Sequence, residues 1–179
     1  MTRLLACTAL ILVAACSKGA QQPPTNPADA KTPGPAALKT ADGADAGTVT
    51  LSEDGKGVTI KVEAAGLQPG PHGLHLHTVG RCEGPKFDSA GPHWNPTGKQ
   101  HGKDNPQGAH LGDLANLDVG ADGRGTATFT VAGAGLTSGE HPLIDLDGAA
   151  LVVHAKADDY KTDPSGASGD RIACAVLGG

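Results

Sequence analysis

What most limits the fold of this chain is a series of short apolar stretches, each stopped within a few residues by glycine, proline or acidic turn residues. Thr48-Val49-Thr50-Leu51 and Val58-Thr59-Ile60-Lys61-Val62 alternate apolar with polar side chains. That is the period of a strand with one buried face. Between them, Glu53-Asp54-Gly55-Lys56-Gly57 is a hairpin turn signal. Asn116-Leu117-Asp118-Val119 and Gly125 to Val131 flank a second one, Ala121-Asp122-Gly123. Ala150-Leu151-Val152-Val153-His154 and Arg171 to Val176 are two late strands. No segment of the domain has a convincing helical period. With 27 glycines and only Phe87, Trp94, Phe129 and Tyr160 as aromatics, the core must come from Val, Leu, Ile and Ala. The pattern predicts one all-β domain, an antiparallel sandwich or barrel. Residues 80–113 and 158–170, rich in Gly, Pro and polar side chains, are two long loops, and long loops in a compact domain usually carry function.

The N-terminus is of a different kind. Leu4 to Val13 is apolar but too short to span a bilayer, and reads as the h-region of a signal peptide over residues 1–15. It ends in Val13-Ala14-Ala15-Cys16, which resembles a bacterial lipobox, so Cys16 is expected to be lipidated and to hold the protein on a membrane. Residues 17–36 are rich in Pro, Ala and polar groups and form a tether, which leaves the domain at 37–179. Of the four cysteines, Cys7 leaves with the signal and Cys16 carries lipid. Cys82 and Cys174 remain as a pair in an exported protein, and a disulfide between them is expected. Loss of residues 1–15 removes one charge, Arg3, and takes the net charge from −5 to −6. That excludes the basic footprint of a nucleic-acid binder.

Six of the eight histidines fall into a metal-ligand pattern. His75 and His77, one residue apart, share a face of one strand and make a ready chelate. His154 ends an apolar strand and is expected to join them. His93, His101, His110 and Asp113 lie in the first loop at gaps of 8, 9 and 3. Three imidazoles and a carboxylate suit a closed tetrahedral zinc site. Seven groups exceed what one ion needs, which points to two metals.

Gly73-Leu74-His75-Leu76-His77, Ser89 to Pro96, His110-Leu111-Gly112-Asp113-Leu114, Leu151 to Asp159 and Gly169 to Cys174 resemble, in order, the motifs of copper/zinc superoxide dismutases over roughly residues 46–177. The resemblance implies a Greek-key β-sandwich or barrel of immunoglobulin-like architecture. It implies one copper per subunit on His75, His77, His93 and His154, and one zinc on His93, His101, His110 and Asp113, with His93 bridging the two. Asp158 would orient a histidine on each metal. Arg171 would hold the superoxide anion beside copper, and Cys82 and Cys174 match the family's disulfide. Arg171 and His93 would be the catalytic residues, His93 by delivering a proton. His72 matches a buried packing histidine, and His141 matches nothing.

An anionic substrate and a net charge of −6 require local focusing, for which Lys99, Lys103, Lys156 and Lys161 are candidates beside Arg171. The rival reading is a copper- and zinc-buffering lipoprotein on the same fold. The lipobox and disulfide imply a bacterial envelope, with the domain facing the periplasm, and Ser17 after Cys16 resembles an outer-membrane sorting signal. Monomer and homodimer both stay open. Trp94 is read as an interface residue or as a cap on the loop.

Overall fold

The computed structural model describes residues 33–178. The expected signal peptide, Cys16 and nearly all of the tether lie outside them. The main sheet has seven antiparallel strands in the order β5-β10-β11-β1-β2-β3-β7. These are β1 (Ala36–Thr40), β2 (Asp45–Asp54), β3 (Gly57–Ala64), β5 (Leu74–His77), β7 (Gly125–Ala132), β10 (Ala149–His154) and β11 (Arg171–Leu177). β4 (Gly70–His72) pairs with β6 (Leu117–Val119), and the two-residue strands β8 (Ala134–Gly135) and β9 (His141–Pro142) pair in parallel. The chain runs from β4 through Gly73 into β5, and β6 runs through a tight turn, Gly120 N–H to Arg124 C=O at 2.8 Å, into β7. The β4–β6 pair thereby ties the two ends of the main sheet together and curls it around one core. β11 returns to lie beside β1 of the β1-β2-β3 meander, the Greek-key order.

The alternation read from the sequence is obeyed. In β3, Val58, Ile60, Val62 and Ala64 are buried while Lys61 and Glu63 are exposed. β1 escaped the pattern because Ala-Ala-Leu-Lys-Thr has one fully buried apolar side chain, Leu38, and its place is set by pairing with both β2 and β11.

β10 is buried on both faces, which is why it reads as a continuous apolar run. Leu151 and Val153 enter the barrel core, whereas Ala150 and Val152 pack outward against Phe87, Ala90 and Cys174. Burial of such a side chain contributes roughly 1.5–3 kcal/mol. The outer layer is the loop 78–92, fastened by the Cys82–Cys174 disulfide across a sequence separation of 92. β5 is equally two-sided: Leu74 and Leu76 are in the core, and His75 and His77 point outward, yet all four are buried. What covers them is the first long loop. Its backbone pairs with the free edge of β5 through Trp94 N–H to Leu76 C=O (2.7 Å) and Leu76 N–H to Gly112 C=O (2.9 Å). A Cβ at Gly112 would lie 2.6 Å from the Leu76 carbonyl, so this close approach requires glycine. Trp94 is only 6% exposed and caps the loop, so it offers no free apolar surface to a partner.

The β10–β11 ladder carries a bulge. Val153 faces Ala173, but His154 faces Arg171, so Ile172 is an extra residue on β11. Ile172 packs against the core beside Ala173. Cys174 points outward, so strict alternation would have put Ile172 outside and Arg171 inside. The extra residue reverses this and delivers Arg171 to the face that carries His75, His77 and His154.

Candidate metal centre

β5 and β10 are adjacent, with His75 opposite Val152 and His77 opposite Ala150. Their outward residues therefore form one wall, with His154 at its end. His93 of the first loop stands against that wall, its ring centroid 4.0 Å from that of His75 and 4.9 Å from that of His77. One nitrogen from each of His75, His77, His93 and His154 lies within 4.8 Å of the others, and all four residues are buried.

The hydrogen bonds show which nitrogens are spoken for. His75 Nε2 bonds Asp158 Oδ2 at 2.7 Å, His77 Nδ1 bonds the Gly91 carbonyl at 2.8 Å, and His154 Nδ1 bonds the Gly169 carbonyl at 3.1 Å. Each ring thus donates one N–H, leaving the opposite nitrogen as a lone pair. Those opposite nitrogens, His75 Nδ1, His77 Nε2 and His154 Nε2, are buried with no hydrogen-bond partner. A buried orphan acceptor is costly, and three converging ones are the donor set of a metal ion.

Beside this set lies a second. His93 Nδ1, His101 Nδ1 and His110 Nδ1 sit 2.9, 3.0 and 3.0 Å from Asp113 Oδ1. Ligand atoms on a tetrahedral zinc are about 3.3 Å apart, so this is nearly its geometry. His101 Nδ1 is close to the carboxylate but out of line for a hydrogen bond, and it too is an orphan. His93 turns Nδ1 to this set, which leaves Nε2 for the first. His75 also lies within reach of His93, His101 and Asp113, because its ring is wedged between the two groups.

Asp158 joins the sets. Its Oδ1 accepts from His101 Nε2 at 3.0 Å while Oδ2 accepts from His75 Nε2. The Tyr160 N–H bonds Oδ1 at 2.6 Å, and Asn116 clasps the Asp158 backbone at 2.8 and 3.1 Å. Burial opposes its charge, but the bonds from His101 and His75 hold its carboxyl well below the usual carboxylate range. The same opposition and outcome hold for Asp113, held down by His101, then His93 and the Gly102 N–H. Burial lowers His75 to about 3, His77 to about 2 and His154 to about 4, so these rings are neutral and metal-ready near neutral pH. Burial lowers His93 as well. Burial also disfavours charge on His101, but the adjacent Asp113 carboxylate and the bond to Asp158 outweigh it and raise the ring to about 9. A metal ion taken up there would have to displace a proton.

Arg171 closes the arrangement. Its Nη1 donates to the Phe87 carbonyl at 2.7 Å and its Nη2 to the Gly91 carbonyl at 2.9 Å. Gly91 thus serves the guanidinium and the His77 ring with one oxygen. Its backbone, at φ 76° and ψ −162°, is open almost only to glycine. A cleft of about 400 Å³ opens onto His93, His154 and Arg171.

The chain matches the family model of copper/zinc superoxide dismutase over residues 45–177. The chain belongs to the copper/zinc superoxide dismutase family. It is 44% identical to a superoxide dismutase [Cu-Zn] of Caulobacter vibrioides over 79% of this chain and 83% of that protein. It is 42% identical to a superoxide dismutase-like protein of Bacillus subtilis, over 76% and 71%. The crystal structure of a SOD-like protein from Bacillus subtilis superposes with a TM-score of 0.77 at 39% identity, covering 80% of this chain and 97% of that one. The Cu/Zn superoxide dismutase from Brucella abortus gives 0.64 at 30%, covering 80% and 98%. The chain is accordingly an oxidoreductase of the superoxide dismutase type, with copper and zinc as cofactors.

Each residue named from the sequence as a ligand is in the cluster. Reading the sequence missed the backbone partners: the carbonyls of Phe87, Gly91 and Gly169, and the Asn116 clasp. Gly91 alone left a trace, as a glycine two residues before His93. Of the candidate steering lysines, Lys99 lines a separate groove beside His110, and Lys103 stacks 4.1 Å over the Tyr160 ring. None of the four lines the cleft beside Arg171. His72 is a packing residue, bonded to the His154 and Gln68 carbonyls at 2.6 and 2.8 Å. His141 is the first residue of β9, paired with Ala134 of β8.

Proposed function

We propose that copper sits on His75 Nδ1, His77 Nε2, His93 Nε2 and His154 Nε2, that zinc sits on His93, His101, His110 and Asp113, and that the pair catalyses dismutation of superoxide at the cleft beside Arg171. The observation that carries this is the set of three buried orphan nitrogens on rings whose other nitrogen is already tied. Copper there supplies one-electron chemistry: two superoxide anions and two protons become O₂ and H₂O₂. Arg171 binds the anion electrostatically, and its anchoring to two carbonyls keeps the guanidinium at the cleft. His93 faces the cleft, and whenever its Nε2 is not holding copper that nitrogen would take a proton from solvent and pass it to the reduced oxygen. Asp113 holds the His93 ring by Nδ1 and so keeps Nε2 turned toward the cleft.

The test is the dismutation rate of the protein loaded with both metals. A rate of roughly 10⁸–10⁹ M⁻¹s⁻¹ is expected. A rate orders of magnitude below that range, with both metals bound, would reject the enzyme in favour of a copper- and zinc-buffering lipoprotein. The naming of the Bacillus subtilis relative as dismutase-like favours that second reading. The complete histidine set and Arg171 favour the first.

For location, we propose a lipoprotein of the bacterial envelope, anchored by Cys16, with the domain facing the periplasm and the outer membrane as its site. The lipobox-like Val13 to Cys16 and the Pro-rich tether support this. Cys16→Ser is expected to move the protein from the membrane to the soluble fraction of a bacterial host, and retention in the membrane would refute lipidation.

A further inference from the structure

We propose that Asp88 sets the charge of the cleft mouth, drawing the copper cation in during loading and slowing the superoxide anion during turnover. This rests on the copper assignment above. Among the described residues, and apart from two histidines, Asp88 and Arg171 are the charged side chains lining the copper-facing cleft. Asp88 and Arg171 also line a neighbouring cleft of about 630 Å³, together with Lys86, Asp42 and Asp170. The mouth therefore carries more carboxylates than cations, and the attraction of Arg171 for an anion is offset there rather than reinforced.

Asp88 opens the short 3₁₀ turn Asp88–Ala90 and is exposed. The turn is held by its backbone, with the Asp88 carbonyl accepting from the Gly91 N–H at 3.0 Å. Among the described hydrogen bonds, none involves its side-chain carboxylate. The charge is fixed beside the cleft, but the fold does not depend on it, so Asn can replace it without disturbing the loop. A unit charge about 8 Å from an ion's path in a water-like dielectric alters the encounter rate of a monovalent ion roughly two- to threefold. A dication feels the square of that factor, roughly fivefold.

The experiment compares Asp88→Asn with Glu140→Gln in the full-length protein. The control removes the same charge from a residue whose side chain is 87% exposed and which lines a groove at the β2–β3 turn. Two rates are read: kcat/KM for superoxide in protein bound to both metals, and uptake of copper(II) chloride by zinc-loaded, copper-free protein. Asp88→Asn is expected to raise kcat/KM roughly two- to threefold over the control at about 0.01 M ionic strength, the gain vanishing near about 1 M. Copper uptake is expected to slow roughly fivefold. A change in kcat/KM no larger than the control's, or unchanged copper uptake, overturns the proposal. Should the native protein dismute superoxide orders of magnitude below the diffusional range, the reading of the reaction fails while the uptake comparison still decides the role of Asp88.

Discussion

Replacing Asp158 with Asn removes one charge and no volume, yet it should cost the protein a metal. Oδ2 accepts from His75 Nε2 at 2.7 Å and Oδ1 from His101 Nε2 at 3.0 Å. A carboxylate accepts at both ends, but an amide accepts at one and donates at the other. If the Asn oxygen faces His75, the amide N–H faces His101 Nε2, which must then be the bare nitrogen. The proton of that ring moves to Nδ1, the atom aimed at zinc. If the amide is turned round, the same argument disables His75 Nδ1 toward copper. The second orientation is favoured, because the Tyr160 N–H also donates to Oδ1, on the His101 side, and would otherwise face the amide nitrogen. Groups that orient ligands in this way typically change metal affinity by 10–100-fold, or about 1.4–2.8 kcal/mol. The assay is competition for each metal against a chromophoric chelator, zinc with copper bound and copper with zinc bound. A 10–100-fold loss for copper and a smaller one for zinc is expected. Unchanged affinity for both metals would mean that Asp158 does not fix the tautomers, and the argument from paired nitrogens would fail.

Arg171→Ala should lower kcat/KM roughly tenfold or more and flatten its fall with salt, with copper content unchanged; an unaltered kcat/KM removes Arg171 from the reaction. Replacing Cys82 and Cys174 together with Ser should lower stability by up to about 4–5 kcal/mol for a loop of this length, read as a fall in the urea midpoint, and a midpoint within error of the native one would contradict it. The metal-free protein should be most stable near neutral pH. His75, His77 and His154 have folded pKa values of about 3, 2 and 4 against an ordinary 6.5, so between those values the unfolded chain binds about three more protons than the fold. Stability then falls on acidification by about 4 kcal/mol per pH unit near pH 5. His101, raised to about 9, contributes stability below 6.5 that is lost as pH rises through 9. Urea unfolding of the chelator-treated protein from about pH 5 to about pH 9 reads both limbs, and a flat profile refutes the assigned states.

The strands and the ligands were legible because each obeys a rule that is local in sequence. Val58, Ile60 and Val62 alternate with polar neighbours, and His75 and His77 share a face by the same period. β1 was not legible, because two alanines, a leucine, a lysine and a threonine take their place only from two partner strands. The His154–Arg171 juxtaposition was equally hidden, since a bulge is a mismatch between two strands and neither strand shows it alone. The Gly91 and Gly169 carbonyls were hidden for a further reason: every residue has a carbonyl, and only the folded loop decides which ones meet a ring nitrogen. The sequence leaves Trp94 as an interface residue or a cap, and its burial makes it the cap.

The extra residue at Ile172 makes the placement of Arg171 a question of counting. Any side chain at position 172 preserves the count, so single substitutions there can loosen the core but cannot turn the guanidinium away from the cleft. Removing or adding one residue in β11 would do so at a stroke, with every ligand and both cysteines still in the chain. The anion-holding arginine is thus buffered against point changes and exposed to indels. A variant of unchanged composition around the metals could therefore lose its substrate through the parity of one strand.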